Sequence, residues 1–131
     1  MNAFLVELEN KPGELARVTE AIAAKGVNIE AFSGSTCDTS GTVAIITNDD
    51  AGTRAALGEA GCKFRESEVT EGSIGARPGS LAAAARRLAD AGVNIEAAFP
   101  IGMDDGGVKI AFVTNDAAKA KEALATTTAG G

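Results

Sequence analysis

The sequence predicts an α+β protein made of two βαββαβ units in tandem, each with its helices on one face of an antiparallel sheet. The first observation is an internal repeat, because residues 11–30 and 77–96 align without a gap and are identical at about half of their positions. The second is that helical and strand periodicities alternate in the same order in both copies. These observations predict one domain at residues 1–68 and another at residues 69–131.

The first copy opens with a strand at residues 3–9, where apolar side chains occupy alternate positions. After a loop at residues 10–13, Leu15, Val18 and Ile22 recur at helical spacing. This pattern predicts an amphipathic helix whose apolar face includes all three side chains.

Gly26 stands where a helix commonly ends in a left-handed residue, and the chain then turns into a strand at residues 28–34. A turn-rich segment at residues 35–41 leads to an apolar strand at residues 42–47, which indicates a hairpin. A short helix at residues 51–60 follows it.

A weakly patterned strand at residues 62–68 closes the first unit, and another at residues 69–75 opens the second. The second copy then repeats the order of the first. Its next elements are a helix with Leu81, Ala84, Ala85 and Leu88 on one face, and strands at residues 94–100 and 108–114.

Asp116 is placed to cap a final helix, but residues 126–131 are too short and too rich in glycine to predict a clear closing strand. Either this sheet edge is open to a partner, or the strand that links the two units serves both. Two such units form a ferredoxin-like pair. That fold hosts enzymes, carriers and regulators, so function has to be argued from the loops.

The composition argues against several classes of function. A formal net charge of −6 and the absence of a Lys/Arg run argue against a nucleic-acid surface. No apolar run approaches the ~20 residues that cross a bilayer, and the N-terminus lacks the basic segment and apolar core of a signal peptide. We therefore expect a cytoplasmic protein that contacts neither nucleic acid nor membrane.

Cys37 and Cys62 have no Cys-x-x-Cys spacing, and the chain contains no histidine. A zinc site or a Cys/His dyad could therefore not be completed. We expect two reduced, structural thiols, no metal, no cofactor and no catalytic residues.

Each repeated stretch begins with a Pro-Gly pair, Pro12-Gly13 and Pro78-Gly79. Proline at the first helical position costs no hydrogen bond, and glycine lets a ligand approach the backbone closely. The exposed amides of a helix N-terminus attract anions. The alternative interpretation is that these pairs are turn residues only.

Residues 9–16, Glu-Asn-Lys-Pro-Gly-Glu-Leu-Ala, and residues 26–30, Gly-Val-Asn-Ile-Glu, resemble the ACT domains, which are small regulatory modules that typically bind amino acids. The resemblance covers nearly the whole chain, twice. It implies a free-standing tandem ACT protein with no attached catalytic domain.

In amino-acid-binding ACT domains the ligand usually lies at an interface between two modules, held by the loop before the first helix and by the start of the second strand. The resemblance therefore implies a binding role for two matching sets of residues. The first set is Asn10, Lys11, Pro12, Gly13, Asn28 and Ile29, and the second is Ala76, Arg77, Pro78, Gly79, Asn94 and Ile95.

The chain departs from the family pattern at two positions. Leu8 occupies the position where serine-sensing members often have histidine, and Ala76 replaces the Asn10 of the first copy. We therefore expect unequal sites, with the first loop as the stronger polar contributor and Asn94 reaching across to it. The alternative for Asn28 and Asn94 is that their side chains satisfy the preceding helix end.

The leading hypothesis is a homodimeric regulatory protein that binds an amino acid at module interfaces and has no catalysis of its own. The alternative is a ligand-free module that assembles with itself or with a metabolic enzyme through its sheet edges. The repeated Thr47-Asn-Asp and Thr114-Asn-Asp triplets are interpreted as strand ends followed by helix caps.

Overall fold

A computed structural model describes residues 1–125 and divides the chain into two compact units, Met1–Ser67 and Glu68–Gly131. Both units have the α+β architecture that the repeat predicts. The elements that lie in unit 1 or begin there are β1 (Asn2–Glu9), α1 (Glu14–Ala23), β2 (Ile29–Cys37), β3 (Ser40–Thr47), α2 (Asp50–Glu59) and β4 (Phe64–Gly75).

In unit 1, β3 pairs antiparallel with β1 on one side and with β2 on the other. The Glu7 N–H donates to the Lys63 carbonyl at 2.9 Å, so the chain entering β4 lies beside β1. Both helices pack on one face of this sheet, as their shared core shows. That core contains Phe4, Val6, Val18, Ile22, Val27, Val43, Ile45, Ala56 and Leu57.

Unit 2 repeats this arrangement with the second part of β4 as its first strand. Val69 to Gly75 of β4 pair antiparallel with β6, and β6 pairs with β5. The further elements of this unit are α3 (Ser80–Asp90), β5 (Ile95–Asp104), β6 (Gly107–Thr114) and α4 (Ala117–Ala125). Its core contains Ala84, Leu88, Val93, Ile110, Phe112, Ala120 and Leu124.

The structure corrects two details of the sequence prediction. Residues 35–37 and 40–41 are strand rather than linker, and the turn between them is tight, with Asp38 in the left-handed conformation at φ 56°. Residues 64–75 form one strand instead of two. The small polar residues of the hairpin have a weak intrinsic preference for strand, so the sequence predicts a loop there. In the structure, pairing with a neighbouring strand outweighs that preference.

Leu15 was placed on the buried face of the first helix, but 46% of its surface is exposed, and its counterpart Leu81 is 54% exposed. Val18 and Ile22 are fully buried, as predicted. The predicted closing strand at residues 126–131 lies outside the described residues.

Gly107 lies where β6 approaches β4 closely. A methyl group at Gly107 would overlap the Ile74 carbonyl oxygen, whereas a methyl at Gly102 would meet no atom within 4 Å. We expect Gly107→Ala to lower the free energy of unfolding by about 1–3 kcal/mol, because backbone must shift to admit it. Chemical denaturation would measure this, with Gly102→Ala as the matched control, and equal stability of the two variants would contradict the close approach.

Candidate functional site

The two repeated helices begin without a side-chain cap. Gly13 at the start of α1 and Gly79 at the start of α3 take left-handed conformations, at φ 89° and 87°, and neither helix has a side-chain hydrogen bond at its cap. The α2 helix differs, because Asp49 Oδ1 accepts from the Gly52 N–H at 2.9 Å. The first amides of α1 and α3 therefore lack the side-chain acceptor that α2 has, and the Glu14 and Ser80 N–H groups donate instead to the Lys11 and Arg77 carbonyls at 3.5 and 3.3 Å.

In unit 1, a carboxylate of the protein itself lies beside the start of α1. Glu14 turns back, and its oxygens accept from the Glu9 N–H at 3.1 Å and from Arg17 Nε at 3.2 Å. Only 13% of the Glu14 side chain is exposed. The Glu9 N–H, and after it the Arg17 guanidinium, hold the pKa of Glu14 below its ordinary value of 4.5.

The rest of the first loop is anchored to the β2–β3 hairpin. Asn10 Nδ2 donates to the Asp38 carbonyl at 2.8 Å, and the Asn10 N–H donates to the Thr39 carbonyl at 3.0 Å. Lys11 Nζ lies 2.8 Å from a Glu9 carboxylate oxygen, and this contact raises the pKa of Lys11. Asn10 is thus already engaged as a donor, and its contact with a ligand stays a prediction.

Two hollows flank α1 in unit 1. A groove of about 630 Å³ runs between the end of β1, the loop and residues 61–63, and Arg17 Nη1 lies in it 3.7 Å from Cys62 Sγ. On the other side of α1, an apolar hollow of about 420 Å³ is formed by α1, β2 and β3. Its lining includes Leu15 and Phe32, whose surfaces are 46% and 63% exposed.

The second loop has different contents. A Cβ added at Gly75 would lie only 2.9 Å from Arg77 Nη1. The Arg77 guanidinium therefore packs against the Gly75 backbone. Ser80 Oγ is buried and has no hydrogen-bond partner among the described residues. These residues line a cavity of about 220 Å³ between the end of β4 and the start of α3, together with Ser73, Ile74, Pro78, Gly79, Ala83, Ala84 and Arg87.

Asn28 and Asn94 are exposed at the starts of β2 and β5, and other residues hold their backbones. The Asn28 N–H donates to Asn48 Oδ1 at 3.0 Å, and the Asn94 N–H donates to Asn115 Oδ1 at 2.9 Å. Across residues 1–125, the side-chain amides of Asn28 and Asn94 make no hydrogen bond. The preceding helix ends are therefore not satisfied by these side chains.

Asn48 and Asn115 each bind the backbone at the start of a strand, a role that the sequence analysis does not predict. They belong to the repeated Thr-Asn-Asp triplets, which were interpreted as caps only. The capping interpretation is confirmed, since Asp116 Oδ1 accepts from the Lys119 N–H at 3.0 Å and Asp49 does the same for α2. The repetition of the asparagine was the signal for its second role.

The predicted ligand residues of one unit do not form one site within that unit. The loop at residues 10–13 precedes α1, whereas Asn28 and Ile29 follow it, and the ten residues of α1 span about 15 Å. The same separation holds for the loop at residues 76–79 and Asn94 across α3. A site that contains both kinds of residue therefore needs two modules.

A comparison with known families matches residues 3–60 of the chain to the ACT domain. The matched range covers most of unit 1. Unit 2 repeats its order of elements and its Pro-Gly and Asn-Ile motifs, which extends the ferredoxin-like architecture through residue 125. A search of curated proteins gave no significant match.

Solved structures match nearly the whole chain. A protein from Bacteroides thetaiotaomicron is 25% identical, with a TM-score of 0.78 over 96% of this chain and 87% of that one. The regulatory subunit of aspartate kinase from Thermus thermophilus, in a ligand-free form, is 19% identical, with a TM-score of 0.66 over 97% and 91% of the two chains. The corresponding subunit from Thermus flavus has the same identity and TM-score over 95% and 91%.

Within residues 1–125 no group of acidic, cysteine or histidine side chains could hold a metal ion. No helix in this range is long and apolar enough to cross a membrane. Cys62 is partly buried beside Arg17, whereas Cys37 is an exposed thiol, and both are unpaired. The exposure of Cys37 differs from the expected structural role.

In unit 1 the Asn48 side chain makes a hydrogen bond to the backbone of Asn28, whereas the Asn28 side chain makes none among the described residues. We expect Asn48→Ala to lower the free energy of unfolding by about 1 kcal/mol, because the Asn28 N–H loses its acceptor. Asn28→Ala should leave stability nearly unchanged, since its side chain has no partner. Urea denaturation of the two variants checks this, and a larger loss for Asn28→Ala would overturn the assignment.

Glu14 should stabilise unit 1 in a pH-dependent way. Because folding lowers the pKa of Glu14, its contribution is complete above its ordinary value of 4.5 and disappears as the pH falls through the lower, folded value. The difference in unfolding free energy between the wild type and Glu14→Gln should therefore shrink between about pH 7 and about pH 3. Glu20→Gln on the same helix serves as the control, and a difference that grew toward acid would contradict the prediction.

Proposed function

We propose that this chain is a cytoplasmic regulatory protein that binds an amino acid between ACT modules and has no catalysis of its own. One observation carries the proposal: both repeated helices begin at a left-handed glycine without a side-chain cap. Glycine lets a ligand reach the backbone, and the exposed amides and the positive end of the helix dipole favour a carboxylate.

The asparagines supply the complementary half of an amino-acid site. A side-chain amide can accept from an ammonium group and donate to a carboxylate. The amides of Asn28 and Asn94 are exposed and unused by the described residues, while Asn48 and Asn115 keep their backbones in place. Their positions are thus fixed and their side chains remain available for a ligand.

The separation of loop and asparagine by a whole helix supports a ligand site shared by two modules. When two modules associate with antiparallel helices, the helix start of one lies beside the strand start of the other. The apolar hollow with Leu15 and Phe32 offers the surface for such an association. We propose a homodimer, in which ligand binding changes the assembly or its contact with an enzyme.

The regulated partner that we propose is a metabolic enzyme. Two of the similar structures are regulatory subunits of aspartate kinase. Their fold is that of this chain, and a role beside an enzyme fits a module whose loops would bind a small ligand.

A second candidate is a ligand-free interaction module. The exposure of Phe32, at 63%, and of Leu15, at 46%, favours this function, because an apolar patch of this kind marks a contact surface. In this case the Pro-Gly loops would be turns only.

The first test is a thermal-shift and calorimetric screen of the common amino acids at millimolar concentrations. A ligand at a hundred times its dissociation constant should add about 2.7 kcal/mol of stability. Asn28→Ala and Asn94→Ala should reduce this response without lowering the stability of the unliganded protein, and Lys121→Gln should not change it. Absence of stabilisation by any amino acid, with self-association intact, would favour the ligand-free module.

A further inference from the structure

The two loops have similar backbone conformations, with a left-handed glycine before each helix, but different side chains. Glu14, which carries the internal carboxylate of unit 1, corresponds in the repeat to Ser80, and its partner Arg17 corresponds to Ala83. Glu9, whose N–H binds that carboxylate, corresponds to Gly75. Unit 2 therefore keeps the donor position and lacks the acceptor.

The backbone donor in unit 2 follows from the strand register. The Ala76 N–H donates to the Gly106 carbonyl at 2.9 Å, so the neighbouring pair, Gly75 and Gly107, is a non-hydrogen-bonded pair of the antiparallel ladder. The Gly75 N–H consequently points away from β6. In unit 1 the same register, with Asn10 bonded to Thr39, turns the Glu9 N–H toward Glu14.

Two polar side-chain atoms lie close to Gly75. Arg77 Nη1 and Ser80 Oγ would lie 2.9 Å and 3.5 Å from a Cβ on Gly75. Ser80 Oγ is buried with no partner, and within residues 1–125 Arg77 forms no ion pair. A buried hydroxyl without a partner costs free energy, which a ligand acceptor would recover.

We infer that unit 2 binds the carboxylate of a small external ligand in the 220 Å³ cavity, at the position that the Glu14 carboxylate occupies in unit 1. The Gly75 N–H, the Ser80 hydroxyl and the Arg77 guanidinium are its donors. Unit 1 supplies its own carboxylate and leaves this position occupied. The inference rests on the proposed function, because it uses the same loop, and it specifies both the ligand chemistry and the unit that binds.

A carboxylate fits better than a phosphate for two reasons. The position in unit 1 is filled by a carboxylate, which shows that this backbone geometry accepts a planar group with two oxygens. Arginine donates to such a group through two parallel N–H bonds. The small cavity admits a compact acid.

The test is a titration of the full-length protein with sodium acetate, followed by the backbone amide NMR signals of Gly75 and Ser80 against sodium chloride at equal ionic strength. Wild type should show saturable shifts at these two amides and none of comparable size at Glu9. Ser80→Glu should supply the missing carboxylate internally and weaken acetate binding by at least about tenfold. Inorganic phosphate, titrated in parallel, should bind more weakly than acetate.

Two further variants keep the inference testable if Ser80→Glu folds poorly. Arg77→Gln should weaken acetate binding, whereas Arg86→Gln, at an exposed position of α3, should not. Glu14→Ser removes the internal carboxylate of unit 1 and should create acetate-dependent shifts at the Glu9 amide. Unchanged acetate binding in both Ser80→Glu and Arg77→Gln would overturn the inference.

The outcomes also separate this inference from the proposed function. If amino acids bind in a manner that depends on Asn28 or Asn94 but not on Ser80 and Arg77, the carboxylate pocket is wrong and the regulatory function stands. If acetate binds as described and no amino acid stabilises the protein, the pocket stands and amino-acid sensing is wrong. If phosphate binds more tightly than acetate, the assigned ligand chemistry is wrong.

Discussion

The left-handed glycine before each repeated helix is the constraint on which the rest of the site depends. At φ near 90°, Gly13 and Gly79 start the helix abruptly after the strand and provide no side chain that could cap it. The Glu14 and Ser80 N–H groups donate to the Lys11 and Arg77 carbonyls at 3.5 and 3.3 Å. The side chains beside each helix start then distinguish the two loops.

The two units differ in the side chains that lie beside the start of the repeated helix. In unit 1, Glu14 accepts from the backbone of Glu9 and from Arg17, which makes the loop a self-contained structure. In unit 2, the short Ser80 leaves the same position without a carboxylate, and Arg77 rests beside it. A duplicated fold has thus kept its backbone geometry while the occupants of the loop changed.

The helices place the asparagines out of reach of their own loops. A rigid helix holds the two ends of each unit about 15 Å apart, so any ligand that touches both ends must lie between modules. The Asn48 and Asn115 side chains make this geometry firm, because each binds the backbone at the start of a strand. Phe32 and Leu15 expose apolar surface in the hollow between α1, β2 and β3.

The sequence by itself determined the repeat, the order of elements, the left-handed Gly26 and Gly92 after the two repeated helices, and the ACT resemblance, because these follow from periodicity and from residues with special backbone preferences. It did not determine where the hairpin turns, since the pairing of residues 35–37 with 40–42 depends on a neighbouring strand. Only the tertiary structure decided which contacts the side chains of the two loops make. Whether Glu14 turns back to Glu9, or Ser80 stays without a partner, depends on which N–H the strand register leaves unpaired, and that register is fixed by strands distant in sequence.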